Sequence, residues 1–586
     1  MKKITFITLA IITFAFLNSC KKGDDFLREK PADFLTIDNA FLNAAQFRTG
    51  LNYLYYQLRD NYIYKDGDAY TVQFGAGADI NFSWNDQNVW TNYSYLNGNA
   101  GWLKELFDRQ YQMINNANNI LQQSENPEVK WVSEQDKLEI QAEAHFFRGY
   151  AYRFLSEMWG GVPIIKEPVT APNLGYTRDK REDVYQLCVD DFKFAAENLP
   201  QTTGEVGKLV SGAAYHFLSE MYIALADEKG GGDKTLYQNA VDAASKVIDG
   251  GTYHLMTNRF GYRSAVPGKD AFWDLFQITK EDGTTNFSYQ GGNKESISII
   301  HLDKFKTGGL GRYLTTRSDQ ERQYWPAFWG FNGRFGYKGV AYDWMGRGIA
   351  WIRPTSYFLY TLWDKSGVED TRNAEWNINR VLKVPNPDLT YQDVPDLSRN
   401  YPAAPQVIPL ANGTSITVQL HPGDTVRNEW LISRDDTMSR WYPRVMKMGS
   451  DWHYAIDPSN TFVMDYYVAR LAETYLLRAE AYMKLGNLSS AAADINTVRA
   501  RSNAAPIDPG QVDIDYILDE RGRELYGEEL RTLTLCRLKL YNERTKRFGY
   551  SLCASTVDNS SLRNDLFPIP QSVIDANYLV LFPQNN

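Results

Sequence analysis

Two stretches of the chain mix aromatic rings with hydrogen-bonding side chains at a density that could do binding chemistry. Between Tyr324 and Trp363, 14 of 40 residues are Phe, Tyr or Trp, or 35% against 14% for the whole chain. Ten of them (Tyr324, Trp325, Phe328, Trp329, Phe331, Phe335, Tyr337, Tyr342, Trp344 and Trp351) alternate with glycines and with Arg334, Asp343 and Arg347. The other four, Tyr357, Phe358, Tyr360 and Trp363, fall on what reads as a helix starting near Pro354 and are assigned to core. An earlier stretch carries Tyr62, Tyr64, Tyr70, Phe74, Phe82, Trp84, Trp90, Tyr93 and Tyr95, interleaved with Asp79, Asn81, Asn85, Asp86 and Asn92. A flat ring lies well against the apolar C–H face of a pyranose, while Asp, Asn, Gln or Arg at the rim meets hydroxyls. Peptide backbones want the same partners, so the mixture serves sugars or peptides. A lobe poor in helices could also build its core from such rings.

Catalytic patterns are missing. There is no HExxH, no GxSxG, no Walker loop and no GxGxxG after a strand. Gly230-Gly231-Gly232 lacks a following Lys-Ser/Thr and reads as a loop, and Lys65-Asp66-Gly67-Asp68 reads as a turn without the Glu of a calcium loop. The six histidines are scattered singly, and His145 and His216 fall inside helical stretches, as satisfied core groups. No Cys/His spacing suits zinc. The chain therefore reads as a binder, not an enzyme, with no cofactor.

Helical hairpins must position these rings. Apolar residues recur at helical spacing from Asp38 to Asp60, Trp102 to Gln122, Leu138 to Trp159, Asp183 to Leu199, Ser211 to Ala226 and Leu236 to Ile248. The clearest hairpin comes late: Leu471, Tyr475, Leu476, Ala479, Tyr482 and Leu485, a Gly486-Asn487 turn, then Ala491, Ala492, Ile495 and Val498. Each hairpin can bury its apolar face on the next, the logic of tetratricopeptide-like stacking. From about Gly261 to Asn460 the periodicity lapses among scattered Gly, Pro, Asn and Asp, with short alternating pieces at Ser296 to Leu302 and Thr414 to Leu420. The expected fold is mainly α, a tetratricopeptide-like helical-hairpin superhelix carrying a large irregular, loop-rich lobe with short strands. Its expected parts are a leader over 1–19, a helical region over 20–260, the irregular lobe over 261–460 and a C-terminal helical region over 461–586.

The 586 residues carry a formal charge of −9, which argues against nucleic acid as the main partner. Lys2 and Lys3 precede an uncharged apolar run, Ile4 to Leu17. At ~1.5 Å per residue the run reaches about 21 Å, short of a ~30 Å hydrocarbon core, so it reads as a secretory leader. It ends in Leu17-Asn18-Ser19-Cys20, which looks like a bacterial lipobox with Cys20 the lipidated residue. Of the other cysteines, Cys188 reads as a small buried side chain, while Cys536 and Cys553 could pair in an oxidising compartment without spacing alone showing it.

With these features in hand, the chain resembles the SusD/RagB family of outer-membrane nutrient-binding lipoproteins of Bacteroidetes-type bacteria, from Cys20 to its end. The motifs are Glu143-Ala144-His145-Phe146-Phe147-Arg148-Gly149-Tyr150 running into Gly160-Gly161-Val162-Pro163, and Arg353-Pro354-Thr355 before Asp370-Thr371-Arg372. Later come Arg470-Leu471-Ala472-Glu473-Thr474-Tyr475-Leu476, Asn496-Thr497-Val498-Arg499-Ala500-Arg501, Glu520-Arg521-Gly522-Arg523-Glu524-Leu525 and Phe567-Pro568-Ile569-Pro570. Two stretches depart from the family pattern: Glu529 to Leu535 lacks its Trp and Asp, and Pro583-Gln584-Asn585-Asn586 replaces the usual Gln-Asn-Pro-Gly-Tyr ending. Glu473, Arg478, Glu480, Arg521 and Glu524 read as ion pairs between helices.

The resemblance implies a receptor over a TonB-dependent, SusC-like barrel transporter, taking an oligosaccharide, or in some relatives a peptide, without chemistry. It implies a lipid anchor (palmitate) on Cys20 in the outer membrane, and Asp24 and Asp25 behind it favour the outer face. The family site, where early loops meet the irregular lobe, would bring Asp79, Asn81, Trp84 and Trp90 near Trp325, Trp329, Trp344, Arg347 and Trp351. A secreted hydrolase and a purely structural helical-repeat adaptor are the competing classes.

Overall fold

The computed structural model describes residues 40–62, 74–280, 282–303, 320–331, 334–337, 346, 348–384, 405–421, 423–450, 464–559 and 561–585. The leader, Cys20, Asp24, Asp25, Tyr64, the 65–68 turn, Tyr70, Tyr342, Asp343, Trp344 and Arg347 lie outside them.

The fold is mainly α. Helices α1 (Ala44–Tyr62), α2 (Gly101–Ser124), α3 (Glu134–Trp159), α4 (Arg181–Asn198), α5 (Ser211–Glu228) and α6 (Lys234–Ile248) form where the periodicity puts them. Local chemistry sets several ends. The Ser133 hydroxyl accepts the Asp136 N–H at the start of α3. Gly160, at φ 77°, ends that helix where Leu566 leaves no room for a Cβ. Each helix from α2 to α6 packs on the next. The array does not end there. Helix α7 (Leu471–Leu485) packs directly on α6 and pairs with α8 (Leu488–Arg501), although 222 residues separate α6 from α7 in the chain. A continuous tetratricopeptide-like stack is thus interrupted in sequence but not in space. Helices α9 (Ile514–Leu525), α10 (Arg531–Arg537) and α11 (Tyr541–Phe548) follow, α9 against α7 and α10 against α3.

The intervening lobe is irregular, with short antiparallel pairs only. They are β1 (Asn81–Phe82) with β3 (Arg353–Pro354), and β2 (Ser296–Ile300) with β8 (Tyr466–Arg470). Two more join β4 (Ile378–Asn379) to β7 (Arg444–Val445), and β5 (Gln406–Pro409) to β6 (Ser415–Val418). The β2–β8 pair leads straight into α7, which fixes the lobe to the stack. The lobe has its own core, in which Phe328, Phe331, Phe335 and Tyr337 meet Trp430, Trp441, Ile408 and Leu420. Most of the ring-rich run is therefore core, because two-stranded ribbons offer little regular apolar face to bury. Of the four rings assigned to core, Phe358 and Trp363 are buried, but Tyr360 is 54% exposed. The short helix stops at Leu359 and turns it outward.

Buried charge joins the parts. Arg372 pairs with Asp370, Glu520 and Glu524; Arg499 and Arg523 pair with Glu520; Arg470 and Arg501 pair with Glu295 and Glu524. Arg521 bridges Glu473 and Glu529, Arg537 holds Glu480, and Arg478 holds Asp494. These are the inter-helix pairs expected of the motif residues. His145 lies 2.6 Å from Asp191, and His216 contacts the Thr474 hydroxyl at 2.8 Å. Burial holds His216 neutral, with its pKa lowered to about 3. Cys188, Cys536 and Cys553 are all free and buried, so the open question of a Cys536–Cys553 bond is answered in the negative.

Removing one partner of a buried pair leaves an uncompensated charge. Arg372→Ala is expected to lower the unfolding free energy by about 3–5 kcal/mol in urea titration, and Arg547→Ala, at the surface, by less than about 1 kcal/mol. Burial alone would raise the Glu524 carboxyl, but Arg501, Arg470 and Arg372 hold it down at about 2. A carboxyl depressed in the fold stabilises above its unfolded value near ~4, and that contribution goes as pH falls toward 2. Melting temperature should therefore fall over that window.

Candidate ligand-binding face

The early ring-rich loop is clamped at its base. Asp79, fully buried, accepts from Arg531 Nη2 at 2.6 Å, Arg531 Nε at 3.1 Å and Arg544 Nε at 3.0 Å. Burial would raise this carboxyl, yet the two guanidiniums hold it at about 2. A Cβ on Gly75, at φ 79°, would lie 2.8 Å from the Arg531 Cβ, so glycine is required for the loop to reach the clamp. From there Thr355 donates its hydroxyl to the Asp79 carbonyl at 2.9 Å and its N–H to the Ile80 carbonyl at 2.9 Å. Asn81 Nδ2 donates to the Phe74 carbonyl at 3.0 Å. The β1–β3 register follows, with Asn81 opposite Pro354 and Phe82 opposite Arg353.

Four of the nine expected contact residues are interior, which corrects their assignment. Asp79 spends its carboxylate on the clamp and Asn81 its amide N–H on the loop, while Asn81 Oδ1 is buried without a hydrogen-bond partner. Trp90 is fully buried edge-on to Trp102 at 4.3 Å. Trp325, also fully buried, donates its indole N–H to the Val445 carbonyl at 3.0 Å beneath the Arg444 guanidinium. Each is covered by a segment far away in sequence. Trp344 and Arg347 lie outside the described residues.

Three tryptophans do reach the surface. Trp329 is 42% exposed, and its N–H donates to the Gly348 carbonyl at 3.1 Å, which fixes the ring. Trp84 is half-buried against Ala327, Ala350 and Tyr442, and Trp351 is half-buried next to Ala350. Around them lie groups given no site assignment from the sequence. Phe82 stacks on Tyr550 at 4.3 Å, Arg434 pairs with Asp86 at 2.6 Å, and Tyr360 projects beside Arg380. Arg353 carried a motif signal but no site assignment; Arg434 and Tyr550 carried none, being placed by tertiary contact alone. Ring faces with charged and amide edges at their rim can hold a flat polyhydroxylated ring or an extended peptide.

Two sizeable hollows among the described residues lie elsewhere. One, of about 700 Å³, runs between α2, the 163–176 loop and the 572–582 segment. The other, of about 740 Å³, lies between α1, the 205–208 loop and residues 299–301. Among the described residues no three His, Cys, Asp or Glu side chains converge as a metal-binding set, and no helix is long and apolar enough to cross a membrane.

A family model described as SusD family matches residues 415–585, and one described as starch-binding associating with outer membrane matches residues 25–223. A SusD-like protein of Bacteroides ovatus is 30% identical over 151 residues, which cover 25% of this chain and 28% of that relative. The matched stretch thus spans under a third of that curated relative. Among solved structures, a SusD homologue of Bacteroides thetaiotaomicron superposes with a TM-score of 0.65 at 18% identity, covering 94% of this chain and 98% of that one. A laminarin-binding SusD-like protein superposes with a TM-score of 0.61 at 21% identity, covering 93% and 99%. Likeness at this identity speaks for the fold.

The division between interior and surface rings is testable by substitution. Trp90→Ala and Trp325→Ala should each cost about 3–5 kcal/mol of stability in urea titration, through lost burial and a cavity. Trp84→Ala and Trp329→Ala should stay within about 1 kcal/mol of the unaltered protein.

Proposed function

The chain belongs to the SusD/RagB family, and from that premise we propose that it is a lipid-anchored outer-membrane receptor for an oligosaccharide. The cargo lies on the face formed by Trp84, Trp329 and Trp351 and passes unmodified to a TonB-dependent, SusC-like transporter. The observation that carries this reading is Trp329, an indole 42% exposed whose only indole hydrogen bond already goes to the Gly348 carbonyl. A large exposed ring fixed in this way presents its face at little further cost in side-chain entropy. The half-buried Trp84 and Trp351 extend the same surface, with Asp86 and Arg434 at its rim.

The laminarin-binding relative and the starch-binding description of the matched family support a glycan over a peptide. The leader ending at Cys20 supports an acyl anchor, and Asp24 and Asp25 behind it support the exterior face. Capture without cleavage accords with a face of rings and paired charges.

Calorimetric titration with oligosaccharides selected on a glycan array tests the reading. Binding in the micromolar range or weaker is expected, and Trp84→Ala or Trp329→Ala should weaken it tenfold or more. Unchanged affinity in both variants would remove this face as the site. Peptides in the mass spectrum of the protein purified with its transporter would replace sugar as the cargo, and product release from a polysaccharide panel would mark a hydrolase.

A further inference from the structure

Where this fold buries a guanidinium in its helical frame, it sets carboxylates against it. Arg372 meets Asp370, Glu520 and Glu524; Arg544 meets Asp79, Asp515 and Asp519; Arg537 meets Glu480. Arg353 departs from that rule. Its guanidinium lies between the rings of Phe82, at 5.2 Å, and Tyr442, at 5.4 Å. Nη1 faces the Met438 sulfur at 2.7 Å, and Nε is buried with no hydrogen-bond partner. Among the described residues Nη2 has no hydrogen-bond partner, and it is not buried. Among the described residues no carboxylate lies within ion-pair distance of this side chain, and the titratable groups that face it are Tyr442, Tyr550, Tyr360 and Arg434. Arg434 cannot compensate it, and the nearby acid, Asp86, is already paired with Arg434.

Rings attract a cation through their faces without neutralising it. The fold thus holds this positive charge partly out of water without a carboxylate beside it, on the strand that pairs with Phe82 and next but one to Trp351. Burial works against the charged form of Arg353, a cost that an incoming anion would offset. The two N–H groups of Nη2 are left to donate charge-assisted hydrogen bonds to the oxygens of a carboxylate or a sulfate.

We infer that Arg353 is the anion-recognising residue of the sugar face and that the cargo is an acidic oligosaccharide. Its uronate carboxylate or sulfate ester meets Nη2 while neighbouring sugar rings stack on Trp84 and Trp351. The inference rests on the glycan reading above and narrows it to one class. An acidic peptide would meet the same guanidinium, but the row of indoles favours rings.

The test compares matched twins on the unaltered protein. Oligosaccharides of galacturonate, glucuronate and mannuronate are titrated beside their carboxyl-reduced forms, and sulfated galactan oligosaccharides beside their desulfated forms, at low and high salt. At least one acidic member should bind tenfold or more tightly than its neutral twin, with the gap narrowing in salt; which pair shows it tells carboxylate from sulfate. Arg353→Gln should abolish the preference and Arg353→Lys should keep part of it; because either variant could misfold, the twin comparison carries the test. Equal binding of acidic and neutral twins would overturn the inference and leave the glycan reading standing, as would a preference that survives in folded Arg353→Gln. Capture of acidic peptides with no acidic sugar bound would overturn it, and absence of binding to every sugar would overturn both readings.

Discussion

Buried charge with no tolerance for misplacement is the constraint on which this structure depends. Glu520 and Glu524, on one face of α9, receive Arg372 from the lobe, Arg499 and Arg501 from α8, and Arg470 from β8. None of these groups could be buried alone, since an unpaired ion in the interior costs several kcal/mol. The pairs add little net stability over apolar packing, but every alternative register strands a charge. The network therefore acts through exclusion. It allows one seating of the lobe on the helical stack, and it lets a chain interrupted by 222 residues close the α6–α7 contact.

Asp79 extends the same device to the binding face. Its two arginines come from α10 and α11, so the loop that leads to Phe82 and Trp84 is fixed from the far end of the chain. Thr355 then ties that loop to β3, and β3 carries Arg353 and leads back to Trp351. Behind the face, Asp79 is paired with two arginines. The rings in front are held by backbone hydrogen bonds and packing.

The helices were legible in the sequence because their signal is local: an apolar stripe, a Gly160-Gly161 stop, a Gly486-Asn487 turn. The pairing of Glu473, Glu480, Arg478 and Arg521 was legible too, since such residues on helix faces have few other uses. The fate of single rings was not. Trp84 and Trp90 lie six residues apart among the same asparagines and aspartates, yet Trp90 is sealed by Trp102 and the Cys553 helix while Trp84 keeps a free edge. Asp79 read as a rim acid because its loop is polar; its partners stand more than 450 residues away, beyond any spacing argument. Composition shows how many rings a lobe has, and the non-local seating decides which of them face water.

Net charge poses an apparent conflict with an anionic cargo, since the whole chain carries −9. The conflict dissolves on the scale of the site. At physiological salt, fields between exposed charges fade over about 8 Å, so a diffuse negative surface slows approach only modestly. What is felt in contact is the local balance, and on this face Asp86 is spent on Arg434 while Arg353 has rings and the Met438 sulfur beside it but no carboxylate among the described residues. On the proposed reading, a protein acidic overall with a half-buried cation on this face would reject polyanions that merely adhere and retain those whose charged group fits beside a stacked ring. Selection of that kind suits a receptor that must release what it holds: the rings give grip over a flat surface, the single charge gives choice, and neither closes around the cargo.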